Sequence, residues 1–192
     1  MRLGPFDERT GRRALLKAGV GLGIELTLAQ VSPAEENPAT IRPKEGDLFV
    51  KDEDSSASPL TPNDIPLGGP QIMAWPMDPA TKTLRSGTRF NRVMLVRLDV
   101  AQLTDETRSR AADGVVAYTA ICTHSGCEIV DWTSDAQQLV CACHNSRFDP
   151  RDGGKVVDGP APRRLPALPV KIVEGKLVVA KPFTARIGFV QD

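Results

Sequence analysis

The chain has 192 residues, enough for one domain and too little for two full ones. Lysine plus arginine and aspartate plus glutamate each total 24, so the charges cancel and give no electrostatic argument for a nucleic-acid partner. Aromatics make up 5% of residues against 16 glycines and 16 prolines, a turn-rich composition suited to short strands and loops rather than a helical bundle.

Residues 1–34 read as an export signal rather than as part of a fold. Arg2, Arg9, Arg12, Arg13 and Lys17 outweigh Asp7, Glu8 and Glu25, and an apolar, glycine-rich stretch follows from Ala18 to Ala29. The run Gly11-Arg12-Arg13-Ala14-Leu15-Leu16-Lys17 resembles the twin-arginine pattern, with Gly11 in place of Ser or Thr and Leu15 in place of Phe. As a membrane span, residues 14–31 are short of the roughly 20 apolar residues required and are interrupted by Lys17 and Glu25. Cleavage is the first expectation and retention as an inner-membrane anchor the second.

Residues 35–65 are dense in proline (Pro38, Pro43, Pro59, Pro62) and predict an extended tether or wrapping segment. Beyond it, residues 66–192 carry the periodicity of strands. Gln71–Trp75, Arg92–Leu98 and Val115–Ile121 are rich in β-branched and apolar residues and bounded by turn residues. A short helix fits within the polar stretch Asp99–Asp113. Lys171–Val173, the turn Glu174-Gly175 and Lys176–Val179 predict a tight hairpin. The fold class is therefore antiparallel all-β, with Cys122–Pro162 embedded chiefly as loops. Trp75, Trp132 and Tyr118 are read as packing aromatics.

All four cysteines and both histidines fall between Cys122 and His144. They form two motifs, Cys122-Thr123-His124-Ser125-Gly126-Cys127 and Cys141-Ala142-Cys143-His144-Asn145-Ser146. From the residue types alone, three chemistries are open. Two Cys and two His can hold structural zinc (Cys122, His124, Cys141, His144); the cysteines can form two plain disulfides in a binding module; or the set can hold an iron–sulfur cluster.

The paired motifs resemble those of the Rieske iron–sulfur family, C-T-H-x-G-C followed by C-P-C-H-x-S, and the likeness runs from Val115 to about Pro169. It implies a β-sandwich with an inserted cluster-binding subdomain of loops and short strands. It also implies a [2Fe–2S] cluster with Cys122 and Cys141 on one iron, His124 and His144 on the other, and a disulfide between Cys127 and Cys143. Replacing two thiolates by neutral imidazoles raises the reduction potential to about −150 to +300 mV, from about −400 mV in plant-type ferredoxins. By the same resemblance Ser146 donates to a bridging sulfide, and Phe148 stands where high-potential members carry Tyr. Gly159-Pro160-Ala161-Pro162 resembles the proline loop over the cluster, Gly126 and Gly159 allow tight turns or close backbone approach, and Ser125 occupies the exposed loop tip.

The disulfide and the export signal both imply the periplasm, since disulfides persist in oxidising compartments. The resemblance implies the iron–sulfur subunit of a quinol-oxidising cytochrome bc-type complex, with membrane cytochrome b and c subunits as partners. The alternative is the small Rieske subunit of a periplasmic molybdenum oxidoreductase like arsenite oxidase, beside a large subunit. No nucleophile, acid–base pair or phosphate loop is apparent, so no catalytic residue is assigned and the chain is read as an electron carrier. The 192 residues leave no room for the catalytic domain of a Rieske oxygenase.

Overall fold

The computed structural model describes Met1 and residues 36–189. The export signal read in residues 1–34, including the anchor reading of 14–31, lies outside the described residues apart from Met1. Among the described residues no helix is long and apolar enough to cross a membrane.

Among the described residues, ten strands form two antiparallel sheets. In chain order they are β1 (Leu48–Lys51), β2 (Ile72–Met77), β3 (Val93–Arg97), β4 (Val115–Thr119), β5 (Asp131–Thr133), β6 (Gln138–Cys141), β7 (Ser146–Asp149), β8 (Lys155–Asp158), β9 (Val170–Val173) and β10 (Lys176–Val179). The six-stranded sheet has the order β4-β3-β2-β1-β10-β9, and the four-stranded sheet β5-β6-β7-β8. Between β3 and β4, a single helical turn, α1 (Asp105–Arg108), is capped by the Thr104 hydroxyl. The expectation of an antiparallel all-β fold is met.

The strands β3 and β4 show why alternation was partly hidden in the sequence. Met94, Val96, Val116 and Tyr118 face one apolar core, while Val93, Leu95, Val115 and Ala117 face another. With both faces covered, every β4 residue is buried, so the strand reads as a continuous apolar run. The first core lies between the sheets and includes Leu139, Phe148, Cys122 and Cys141. The second joins Phe49, Ala74, Leu168, Leu177 and Val179 on the other face of the six-stranded sheet.

Tyr118 fills the inter-sheet core and donates its hydroxyl to the Pro150 carbonyl at 2.8 Å, while burial pushes its pKa well above the ordinary phenol value. Trp132 packs against the same core, and Trp75 donates from Nε1 to Asp52 at 2.8 Å. The predicted hairpin forms between β9 and β10, with positive φ at both turn residues, Glu174 (51°) and Gly175 (76°).

One sequence expectation changes. The segment 35–65 contains β1, which pairs along its length with β2 and also with β10, so the folded body begins before residue 66. The prolines flank that strand instead of interrupting it. Cys122–Pro162 combines loops with four strands of three or four residues, the mixture that the resemblance implies.

The N-terminal part of this body is held by a buried ion pair. Arg85 and Asp47 are 2% and 3% exposed at their side chains, and Arg85 donates from Nε and Nη2 to the two Asp47 oxygens at 2.5 and 2.9 Å. Asp78 approaches the same guanidinium at 3.3 Å. Asn91 donates to the carbonyls of Ile41 and Arg85 at 2.8 and 3.0 Å.

Candidate metal centre

Two loops bring the cysteines and histidines together, and backbone hydrogen bonds fix each one. After β4, the chain turns so that the Cys122 N–H donates to the Cys127 carbonyl (2.8 Å) and the Gly126 N–H to the Cys122 carbonyl (3.1 Å). The second loop is the hairpin between β6 and β7, closed by the Cys141–Ser146 pair. Cys127 and Cys143 join the two loops as a disulfide, with Cα atoms 6.7 Å apart. Cys122 and Cys141 are free and buried, which is incompatible with two plain disulfides.

The histidines meet at the surface. His124 is half-buried and His144 exposed, their Nδ1 atoms are 3.2 Å apart and their rings are perpendicular. The thiols of Cys122 and Cys141 are instead buried in the inter-sheet core. Burial pushes the Cys122 thiol up to about 11, partly offset by the His124 N–H aimed at its sulfur at 3.5 Å. A thiol in such a place is inert until a metal takes the place of its proton. The sulfurs of Cys127, Cys141 and Cys143 also lie within 4.8 Å of one another, but the disulfide leaves only Cys141 of those three to ligate. The free donors are thus two thiols and two imidazoles on facing loops, which fit the two-sulfur, two-nitrogen protein set of a Rieske cluster.

Further residues surround the two loops. Ser146 is fully buried, and its Oγ accepts from the Ala161 N–H at 3.2 Å, which leaves its own hydroxyl proton available to donate. That bond ties the Gly159–Pro162 loop to the second cluster loop, with Pro160 exposed on it. Phe148 is buried beside Cys122 and Cys141 in the inter-sheet core. Ser125 is exposed, with its Oγ 3.7 Å from the Cys127 sulfur.

Gly159 has φ +84°, and a Cβ there would stand 2.6 Å from Ser146 Cα and 2.8 Å from the Asn145 carbonyl oxygen. The proline loop therefore reaches the cluster loop only because this residue has no side chain. Gly159→Ala is expected to cost about 1–3 kcal/mol in urea unfolding. A change within about 0.5 kcal/mol would show that the backbone accommodates the methyl group.

Two contacts were not read from the sequence. Thr123 is buried, and its hydroxyl donates to the Arg163 carbonyl at 2.6 Å. Arg89 donates from Nη1 to the Gly126 carbonyl at 2.7 Å. Thr123 lies inside the motif and was legible as part of it; Arg89 lies far upstream and has no local signal.

Comparison with known proteins agrees with this geometry. The Rieske [2Fe-2S] domain model matches residues 74–169. The chain is 31% identical over 134 residues to the cytochrome bc1 complex Rieske iron–sulfur subunit of Streptomyces lividans, covering 68% of this chain and 78% of that one. It is 42% identical over 106 residues to a Haloferax mediterranei protein named as the Rieske subunit of a respiratory nitrate reductase, covering 54% of this chain and 47% of that one. The match to the Streptomyces coelicolor bc1 subunit spans only 38% of that protein. Among solved structures, the plasma membrane Rieske protein of Synechocystis PCC 6803 aligns at 24% identity and a TM-score of 0.37, covering 57% of this chain and 84% of that chain. With paired ligand loops and a family match over half its length, the chain belongs to the Rieske [2Fe–2S] family and is an electron-transfer protein.

Proposed function

We propose that Cys122 and Cys141 hold one iron of a [2Fe–2S] cluster and His124 and His144 the other, in an exported iron–sulfur subunit of a quinol-oxidising cytochrome bc-type complex. The observation that carries this reading is the convergence of two buried thiols and two solvent-facing imidazoles, with the Cys127–Cys143 disulfide holding their loops together. When bound, the cluster supplies a one-electron couple in the Rieske range. The chain supplies the rest. The thiols sit in the core and exclude water from one side, while the imidazoles face the surface where a partner can approach. Each imidazole keeps a ring nitrogen able to hold a proton, so proton and electron transfer can be coupled there.

The bc-type role is supported by the likeness to the Streptomyces lividans subunit and by the Gly159–Pro162 loop. Residues 1–34 act as a twin-arginine signal that delivers the folded protein to the periplasm, where the disulfide persists. Arg12→Lys combined with Arg13→Lys is expected to leave the protein in the cytoplasm; unchanged export would exclude that type of signal. The second reading, a small Rieske subunit of a periplasmic oxidoreductase of the molybdenum type, is favoured by the likeness to the Haloferax mediterranei protein. Isolation from native membranes separates the two. A b-type cytochrome subunit and cluster reduction by added quinol fit the first. A large oxidoreductase subunit without quinol reduction fits the second.

The potential depends on two side chains. Reduction adds negative charge, so a hydrogen bond to the cluster sulfurs is stronger in the reduced state and raises the potential. Ser146 supplies such a bond and Phe148 cannot. At about 1–1.5 kcal/mol per bond, Ser146→Ala is expected to lower the potential by roughly 40–65 mV and Phe148→Tyr to raise it similarly. Voltammetry tests both, and a shift of the wrong sign would mean that the side chain does not face a sulfur.

A further inference from the structure

We propose that the arginine-rich concavity beside the first cluster loop is a docking surface for the acidic face of a redox partner. The inference rests on the electron-transfer reading above and adds the charge of the protein that this reading requires. Two adjoining hollows, of about 320 and 440 Å³, share Arg186 and Ile187. Arg42 and Phe183 line the first, Phe90 and Phe189 the second. Arg42 and Arg89 both lie over the Phe90 ring, at 5.4 and 5.3 Å from its centre. Among the described residues, no carboxylate lines either hollow. Among the described residues, Arg42, Arg89 and Arg186 take part in no salt bridge. In a chain whose charges cancel overall, this is a local excess of positive charge.

Position gives that charge its meaning. Arg89 grips the Gly126 carbonyl, two residues from His124, and a Cβ on Gly126 would lie 3.3 Å from the Phe189 ring. Arg163 donates to the Gly188 carbonyl, and its own carbonyl accepts from Thr123. The C-terminal stretch that forms the hollows is thereby fastened to the loop that carries His124. Phe189 is nevertheless 45% exposed. Arginine and aromatic side chains are the types that association most often buries with gain. A small anion needs buried donors, whereas Arg42 and Arg186 are exposed, so an extended carboxylate-bearing protein face is the fitting occupant.

The test uses one haem protein with two opposite charges. The reduced full-length holoprotein is mixed by stopped flow with cytochrome c carrying free lysines, which is basic, or with the same cytochrome c succinylated on its lysines, which is acidic. At low ionic strength the succinylated form is expected to react faster by at least about tenfold, and the advantage should fade when added salt shortens the Debye length to about 3–8 Å. Arg186→Glu should cut the succinylated-to-free rate ratio several-fold. Arg186 makes no side-chain hydrogen bond among the described residues, so the fold should be unaffected. Lys176→Glu, on the β9–β10 hairpin outside the hollows, should change the ratio much less. Equal rates for the two cytochromes, or equal effects of the two substitutions with the chromophore intact, would overturn the docking surface alone. A wild-type protein that lacks the chromophore and reduces neither form would overturn the electron-transfer reading and this proposal with it.

Discussion

His124→Ala and His144→Ala are each expected to abolish the red-brown chromophore and the EPR signal of the reduced protein, while the polypeptide still folds. Each substitution removes one of the four proposed ligands, and no other His exists in the chain to replace it. Even residues that only support metal ligands typically cost 10–100-fold in affinity, so loss of a ligand should leave no stable cluster. Both rings stand at the loop surface, one half-buried and one exposed, and neither belongs to either apolar core. Unfolding of the cluster-free protein by urea should therefore change by no more than about 0.5 kcal/mol. An unaltered EPR spectrum in either variant would remove that histidine from the ligand set. A collapse of the cluster-free fold would make its role structural.

Asp47→Ala should have the largest effect on stability. It leaves the Arg85 guanidinium, 2% exposed, with only the more distant and partly exposed Asp78 as a carboxylate partner. Breaking a buried pair from one side costs about 3–5 kcal/mol, since a charge remains where water cannot reach it. Whole domains are stable by only about 5–15 kcal/mol, so the variant should be close to its folding limit. The double variant Asp47→Leu with Arg85→Met removes both charges and should recover most of the loss. Urea midpoints for wild type, single and double variants check this. A single-variant loss below about 1 kcal/mol would show that water or Asp78 compensates the guanidinium.

How much the sequence disclosed follows from the range of the forces involved. The strands β3 and β4 were legible because each is a run of apolar and β-branched residues, and the β9–β10 hairpin because Glu174-Gly175 sits between two such runs. The candidate ligands were legible because two loops repeat short cysteine–histidine spacings. By contrast, β1 has just two buried residues, Phe49 and Val50, in a proline-dense stretch, so its place inside the sheet depends on partners far along the chain. The strands of the smaller sheet are too short and too polar for alternation to register, as Asp131–Thr133 and Lys155–Asp158 show. The Asp47–Arg85 pair joins residues 38 positions apart, and the grip of Arg89 on Gly126 spans 37. Neither has a local pattern.

The proposed centre has two irons, with protein sulfur on one and imidazole on the other. Mössbauer spectroscopy of the iron-57-enriched, reduced holoprotein, combined with pulsed EPR of protein labelled with nitrogen-15 histidine, tests it most directly. One ferric and one ferrous site in equal amounts are expected, with the unpaired spin coupled to nitrogen from two histidines, and with that coupling lost together with the cluster in His124→Ala. Purified protein that carries zinc and no iron, or a reduced cluster with no histidine nitrogen coupling, would contradict it.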